Sequence, residues 1–172
     1  YFCRRADGPY IKGKVWPGEC NFPDYTDPKV REWWAGLFKE IISEIGIKGI
    51  WNDMNEPAVM EVPGKTFPMD VRHVYDGNPC SHRKAHNIYG TQMARATYEG
   101  VKRFAYPKRP FIITRSAYSG AQRYTSSWTG DNVASWEHLW IANIQRQRLC
   151  MHGMGVTGCD RRGFAEQHSA EL

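Results

Sequence analysis

The chain has 172 residues, enough for one domain with a sizeable core, and 41% hydrophobic with 24% charged residues excludes a wholly disordered polymer. Its formal charge is +5, from 23 Lys plus Arg against 18 Asp plus Glu. The basic pairs Arg4-Arg5, Lys102-Arg103, Lys108-Arg109 and Arg161-Arg162 are scattered, which argues against a nucleic-acid surface and for solvated faces.

No apolar run approaches membrane-spanning length, and the first residues, Tyr1-Phe2-Cys3, carry neither an initiator Met nor a signal-peptide pattern. Compartment is therefore unreadable. The five cysteines, Cys3, Cys20, Cys80, Cys150 and Cys159, are odd in number and irregularly spaced, with no CxxC pair. Free, mostly buried thiols are expected, without a disulfide framework, a zinc site or a redox centre.

In chain order, the first clear element is a helix opening at Asp27-Pro28. Asp27 can cap it, and Pro28 takes the first position, where its missing N–H costs nothing. Val30, Trp34, Leu37, Phe38, Ile41 and Ile45 recur at three- and four-residue steps as one apolar stripe. Gly46 can end the helix in a left-handed conformation, and Ile47-Lys48-Gly49-Ile50-Trp51 reads as a strand. Residues 54–82 are rich in Pro and Gly and show no sustained period. They read as a long excursion, a length usually kept for functional loops. A second helix is expected over 83–104, with Ala85, Tyr89, Met93, Ala96, Val101 and Phe104 inward. Gly90 and Gly100 are at odds with it. Strands follow at 110–115 and 124–128, then a helix over 134–149 and a strand at 155–158.

Helix, strand, loop, helix, strand, short strand, helix, strand is an α/β order. Asp53, Arg115, Asp131 and Asp160 stand at the carboxyl ends of its strands. Both a β/α barrel and an open doubly wound sheet gather function there. A complete barrel needs roughly 250 residues, so this chain can supply only part of one.

Trp51-Asn52-Asp53-Met54-Asn55-Glu56 and Trp128-Thr129-Gly130-Asp131-Asn132 each set a carboxylate beside an indole, and indole faces pack against sugar rings. Two carboxylates are the minimum equipment for glycoside chemistry. Singly, each has a plainer reading: Asp53 as a turn residue, Asp131 as the N-cap of the following helix. Glu56, beside Pro57, reads as a partner of the site or a turn anchor. His82 and His86, four apart, lack a suitably spaced third ligand and read as polar surface or supporting histidines, not a metal site. Trp34 belongs to the buried stripe.

The chain resembles the family 31 glycoside hydrolases, the retaining α-glucosidase and α-xylosidase family, over essentially its whole length. The resemblance rests on Val15-Trp16-Pro17-Gly18, Phe22-Pro23-Asp24, the Asp53 segment, Thr114-Arg115-Ser116, Gln122-Arg123-Tyr124, the Asp131 segment and Gly158-Cys159-Asp160. Lys65-Thr66-Phe67-Pro68 and Ser81-His82-Arg83-Lys84-Ala85-His86-Asn87 resemble the α-glucosidase branch. The resemblance implies a partial (β/α)8 TIM barrel, residues 1–172 running from the end of the third strand through the seventh. It makes Asp53 the nucleophile after the fourth strand and Asp131 the general acid/base after the sixth. Trp16, Trp51, Arg115, Trp128 and Asp160 would meet the sugar, with Trp16 behind it and Arg115 and Asp160 on its hydroxyls. The implied substrate is an α-glucoside or α-linked oligosaccharide, cleaved with retention and without cofactor or metal. The implied partners are the rest of the barrel and flanking domains, and the isolated segment is expected to be inactive. An α-xylosidase, a transglycosylase or a catalytically impaired sugar-binding homologue are the alternatives. One departure stands out: Asp160-Arg161-Arg162-Gly163-Phe164 replaces the family's Asp, branched apolar residue and two glycines, which puts full activity in question.

Overall fold

The computed structural model describes residues 1–160, 163–167 and 169–171. The elements in order are β1 (Lys12–Val15), β2 (Gly18–Asn21), α1 (Pro28–Gly36), β3 (Ile50–Asn52), β4 (Arg72–His73), β5 (Cys80–Ser81), α2 (His82–Ala105), β6 (Ile112–Thr114), β7 (Ser126–Trp128), α3 (Trp136–Met151) and β8 (Thr157–Gly158). Among the described residues, β3, β6, β7 and β8 form one parallel sheet in that spatial order. Each strand lies beside the next one of that sheet in the chain. A doubly wound sheet reverses order at a switch point, whereas a barrel adds strands in sequence, so the order selects a barrel arc. The two antiparallel pairs, β1–β2 and β4–β5, lie outside this arc, and neither was expected from sequence.

The first helix follows its caps more closely than its stripe. Asp27 Oδ1 accepts from Lys29 N at 2.8 Å, and Pro28 opens the helix. The α-helix ends at Gly36, however, and the chain continues through a π-helical turn, Glu40–Glu44. Phe38 and Ile42 are buried, while Leu37 before the π-turn, Ile41 within it and Ile45 after it are exposed, contrary to the periodicity. Trp34 packs as expected, edge-on against Tyr25 and Phe38, with its Nε1–H donating to Thr97 Oγ1 at 3.0 Å.

Helix α2 is the central support. Ala85, Tyr89, Ala96 and Val101 are buried on it, as the pattern predicts. Its two glycines serve close packing. A Cβ on Gly100 would lie 2.6 Å from Ala35 O of α1, and one on Gly90 would lie 2.7 Å from Ser116 O and 2.8 Å from Asn55 O. The helix therefore touches backbone on both sides, where any side chain would hold it off.

Two apolar clusters flank α2. Phe38, Ile42, Val101 and Ile112 join the π-turn, α2 and β6. Cys3, Ile11, Phe22, Tyr25, Val59, Phe67, Val71, Tyr89 and Ala96 form the larger one. Val59, Phe67 and Val71 come from the 54–82 excursion, which is thus a packed cover over α2. Its anchors lack a period because no single helix or strand carries them.

Candidate active site

The last residue of β3 and the turn after it bring Asn52, Asp53, Asn55 and Glu56 together within five residues. Asn52 is buried at the strand end, and its carbonyl accepts from Arg115 N at 3.1 Å. Asp53 follows, half exposed, with Oδ1 accepting from Met54 N at 2.8 Å. Met54 has φ +53°, a left-handed conformation uncommon for a residue with a side chain. Such a turn persists only where its surroundings hold it, and Asn55 supplies that hold. The buried Asn55 side chain donates to Thr114 Oγ1 at 2.8 Å and accepts from Ser116 N at 3.2 Å, tying the turn to the end of β6. Sequence reasoning passed over Asn55; its place inside the motif, one residue before Glu56, was the available signal.

Arg115, just past β6, gathers the carboxylates. Its Nε donates to Glu56 Oε1 at 2.9 Å and its Nη2 to Glu56 Oε2 at 3.0 Å, a bidentate fork. Its Nη1 lies 3.2 Å from Asp53 Oδ1 and 3.4 Å from Asp131 Oδ2. One nitrogen touching both oxygens caps their separation at the sum of those two distances. Retaining glycosidases hold their carboxyl groups about 5–5.5 Å apart and inverting ones about 6.5–9.5 Å. That bound, set on one oxygen of each group, spans the retaining spacing and reaches the start of the inverting one, so both carboxyl groups can act on one sugar. Hydrogen bonding to Glu56 raises the Arg115 guanidinium pKa further, against a smaller opposing effect of burial, with the charges of Glu56, Asp53 and Asp131 adding to the rise.

Asp131 is not the helix cap. Ser135 caps α3, its side chain accepting from His138 N at 3.1 Å, so the Asp131 carboxylate is left to Arg115. The loop bearing Asp131 is zipped to the segment after β8: Phe164 N and Ala165 N donate to Asn132 O, and Ala134 N donates to Ala165 O. Asp160 opens that segment, and burial, with the charge of Asp131 adding, pushes its carboxyl above the ordinary range. Arg161 and Arg162, on which the sequence departs from the family, lie outside the described residues.

The aromatic groups divide. Trp51 on β3 and Trp128 on β7 flank β6, and their rings meet edge-on at 4.9 Å and 82°. Trp128 is buried and Trp51 is 62% exposed, so the pair presents one open indole face near the carboxylates. Trp16 sits at the tip of the β1–β2 hairpin and is 78% exposed.

Behind the excursion lies a second polar cluster, which decides between the surface and supporting readings of His82 in favour of the supporting one. His82 is fully buried, with Nδ1 2.9 Å from His73 Nε2, while His73 Nδ1 is 2.9 Å from Asp24 Oδ1. Asp24 also accepts from Thr26 N, Thr26 Oγ1 and Val74 N. Burial raises its carboxyl pKa, but His73 and these donors outweigh that and hold it below the usual range. Cys3, Asp24 and His73 bring possible metal-ligand atoms within 4.8 Å of one another. Asp24 already accepts four hydrogen bonds there, which accounts for the cluster without an ion. The five cysteines are free, with Cys3 buried, Cys150 exposed and the others between, so fewer are buried than expected.

The whole chain, residues 1–172, matches the family described as the glycosyl hydrolases family 31 TIM-barrel domain. The chain belongs to glycoside hydrolase family 31. It is 46% identical to alpha-glucosidase 2 of Bacillus thermoamyloliquefaciens over 172 residues, covering all of this chain and 22% of the relative. It is 39% identical to neutral alpha-glucosidase C of Homo sapiens, covering all of this chain and 19% of that protein. Among solved structures, it superposes on a glucosidase II alpha subunit with α3-Glc2 bound at a TM-score of 0.88 and 35% identity, covering 97% of this chain and 18% of the other. A family 31 alpha-glucosidase from Bacteroides thetaiotaomicron gives 0.79 and 38%, covering 97% and 26%. The chain therefore spans about a fifth of the length of the first curated relatives it matches. The parallel arc is the fold that family membership requires.

Proposed function

We propose that the chain is the central part of the catalytic barrel of a retaining α-glucosidase, which releases terminal non-reducing α-linked glucose. The supporting observation is the single guanidinium nitrogen that meets both Asp53 and Asp131. Glucosidase names among the relatives favour glucose over xylose. In this reading β3, β6, β7 and β8 are barrel strands four to seven, and the exposed Trp136, Trp140 and Ile141 of α3 are covered by the remainder of the barrel. An isolated 1–172 segment would then expose edges and apolar faces and have no activity.

Asp53 attacks the anomeric carbon as the bond to the leaving oxygen breaks, and Asp131 delivers its proton to that oxygen. A glycosyl–Asp53 ester results. Asp131, now a carboxylate, takes a proton from water; the water oxygen attacks the same carbon, the ester breaks, and Asp53 is restored. Two inversions give net retention. Arg115 keeps the two acidic groups together and bears on the sugar hydroxyls, with Asp160 facing them from just past β8. Trp51, backed by Trp128, offers the ring face, and Trp16 closes the pocket from the hairpin. No step requires a cofactor or metal.

The test is a slow fluorinated α-glucosyl substrate given to the full-length protein. A covalent adduct on the peptide containing Asp53, absent from Asp53→Ala, is expected. An adduct that survives that substitution refutes the assignment. Binding of α-linked saccharides with no turnover would instead favour a non-catalytic homologue.

A further inference from the structure

Arg115 divides its donors unequally. The Nε/Nη2 edge is spent on Glu56 in a two-point fork, and only Nη1 faces the catalytic pair. Glu56 arises from the same turn as Asp53, and the buried Asn55 between them locks that turn to β6. The chain thus carries a third carboxylate on the far side of the same cation, at shorter range than either catalytic one.

We infer that Glu56 is a positioning residue of the reaction, fixing the plane of Arg115 so that Nη1 stays between Asp53 and Asp131 and offsetting the charge that Asp131 faces. The inference rests on Asp53 and Asp131 being the reacting pair. Two physical arguments carry it. A planar guanidinium held at two points cannot rotate about its long axis, whereas one held by Nη1 alone can. And a bare cation beside a carboxyl favours the ionised form, which opposes a proton donor. The charged groups that meet Asp131 come from three elements: Asp53 and Glu56 after β3, Arg115 after β6 and Asp160 after β8. Glu56 is the one that bonds the cation directly without taking part in the bond changes. It lets one arginine hold two acidic groups together while one of them keeps its proton.

The test is the pH profile of kcat/KM in the full-length protein, with aryl α-glucosides of graded leaving ability. Glu56→Gln keeps an acceptor oxygen and removes the charge. Its alkaline limb is expected to move to lower pH by on the order of one unit. The rate at neutral pH should fall about tenfold for poor leaving groups and less for good ones. Glu56→Asp keeps the charge on a shorter arm, so it should lose rate while the limb stays in place. An unmoved limb in folded Glu56→Gln overturns the inference. Asp53→Ala separates the two claims: an active Asp53→Ala sinks the catalytic pair, whereas an inactive one with an unmoved Glu56→Gln limb sinks only the role of Glu56.

Discussion

Replacing Gly90 by Ala tests whether α2 must touch the catalytic turns. In an exposed helix the change is favourable by about 1 kcal/mol. Here the added methyl would meet Ser116 Cβ at 2.7 Å, Ser116 O at 2.7 Å and Asn55 O at 2.8 Å. Two of these are backbone oxygens that cannot swing aside, so the helix or both turns must move. Overpacking of this kind costs about 1–3 kcal/mol, which equals or exceeds the helical gain. The larger effect falls on chemistry, because the atoms displaced belong to the turns that aim Asp53 and Arg115. A shift of several tenths of an ångström at both should lower kcat tenfold or more, given that about 1 Å of misplacement can cost 100-fold. Gly36 of α1, where an added Cβ meets nothing within 4 Å, is the control: its Ala variant should keep kcat and lose no stability. The assay is kcat for an aryl α-glucoside with thermal unfolding of the same full-length samples. A Gly90→Ala protein as active as wild type, and equally or more stable, would refute the reasoning.

Asp131→Ala should impair α-glucosides with poor leaving groups by about 100-fold or more and spare activated ones, as loss of a proton donor does; equal loss across a leaving-group series would point to another role. Stability should fall with acidification through His82. Its pKa is lowered to about 3 by burial first, then by the neighbouring His73 and His86, against a smaller opposing effect of Asp24. Unfolded histidine takes its proton near 6.5. Below that pH the unfolded chain binds the extra proton and the folded chain does not, so stability drops by about 1.4 kcal/mol per pH unit until near pH 3. Unfolding free energies between pH 7 and 5 should therefore decline by about 2 kcal/mol from this group alone, and His82→Asn should flatten that slope; an unchanged slope would count against the buried relay.

The candidate acidic groups were legible because their signals are local. Asp53 and Asp131 each stand in a short polar motif at a strand end, and Asp27-Pro28 announces α1 by backbone accounting alone. What the sequence left open was how these pieces meet. Periodicity placed Leu37, Ile41 and Ile45 inward, but past Gly36 the chain leaves the regular helix and it is Phe38 and Ile42 that pack against Val101 of α2. The 54–82 excursion looked structureless because its anchors, Val59, Phe67 and Val71, follow the contour of α2 and not a repeat of their own. The surface and supporting readings of His82 stayed open because its partners, His73 and Asp24, are remote in sequence.

By itself, then, the sequence determined the α/β order, the start of α1, the identity of the acidic groups and the family they resemble. Those properties depend on neighbours within a few residues. Only the tertiary structure decided that the strands run in barrel order, that Ser135 rather than Asp131 caps α3, and that Arg115 joins Glu56, Asp53 and Asp131 through one guanidinium. Those are distances between segments far apart in the chain, set by where α2 can approach a backbone that has no side chain in the way.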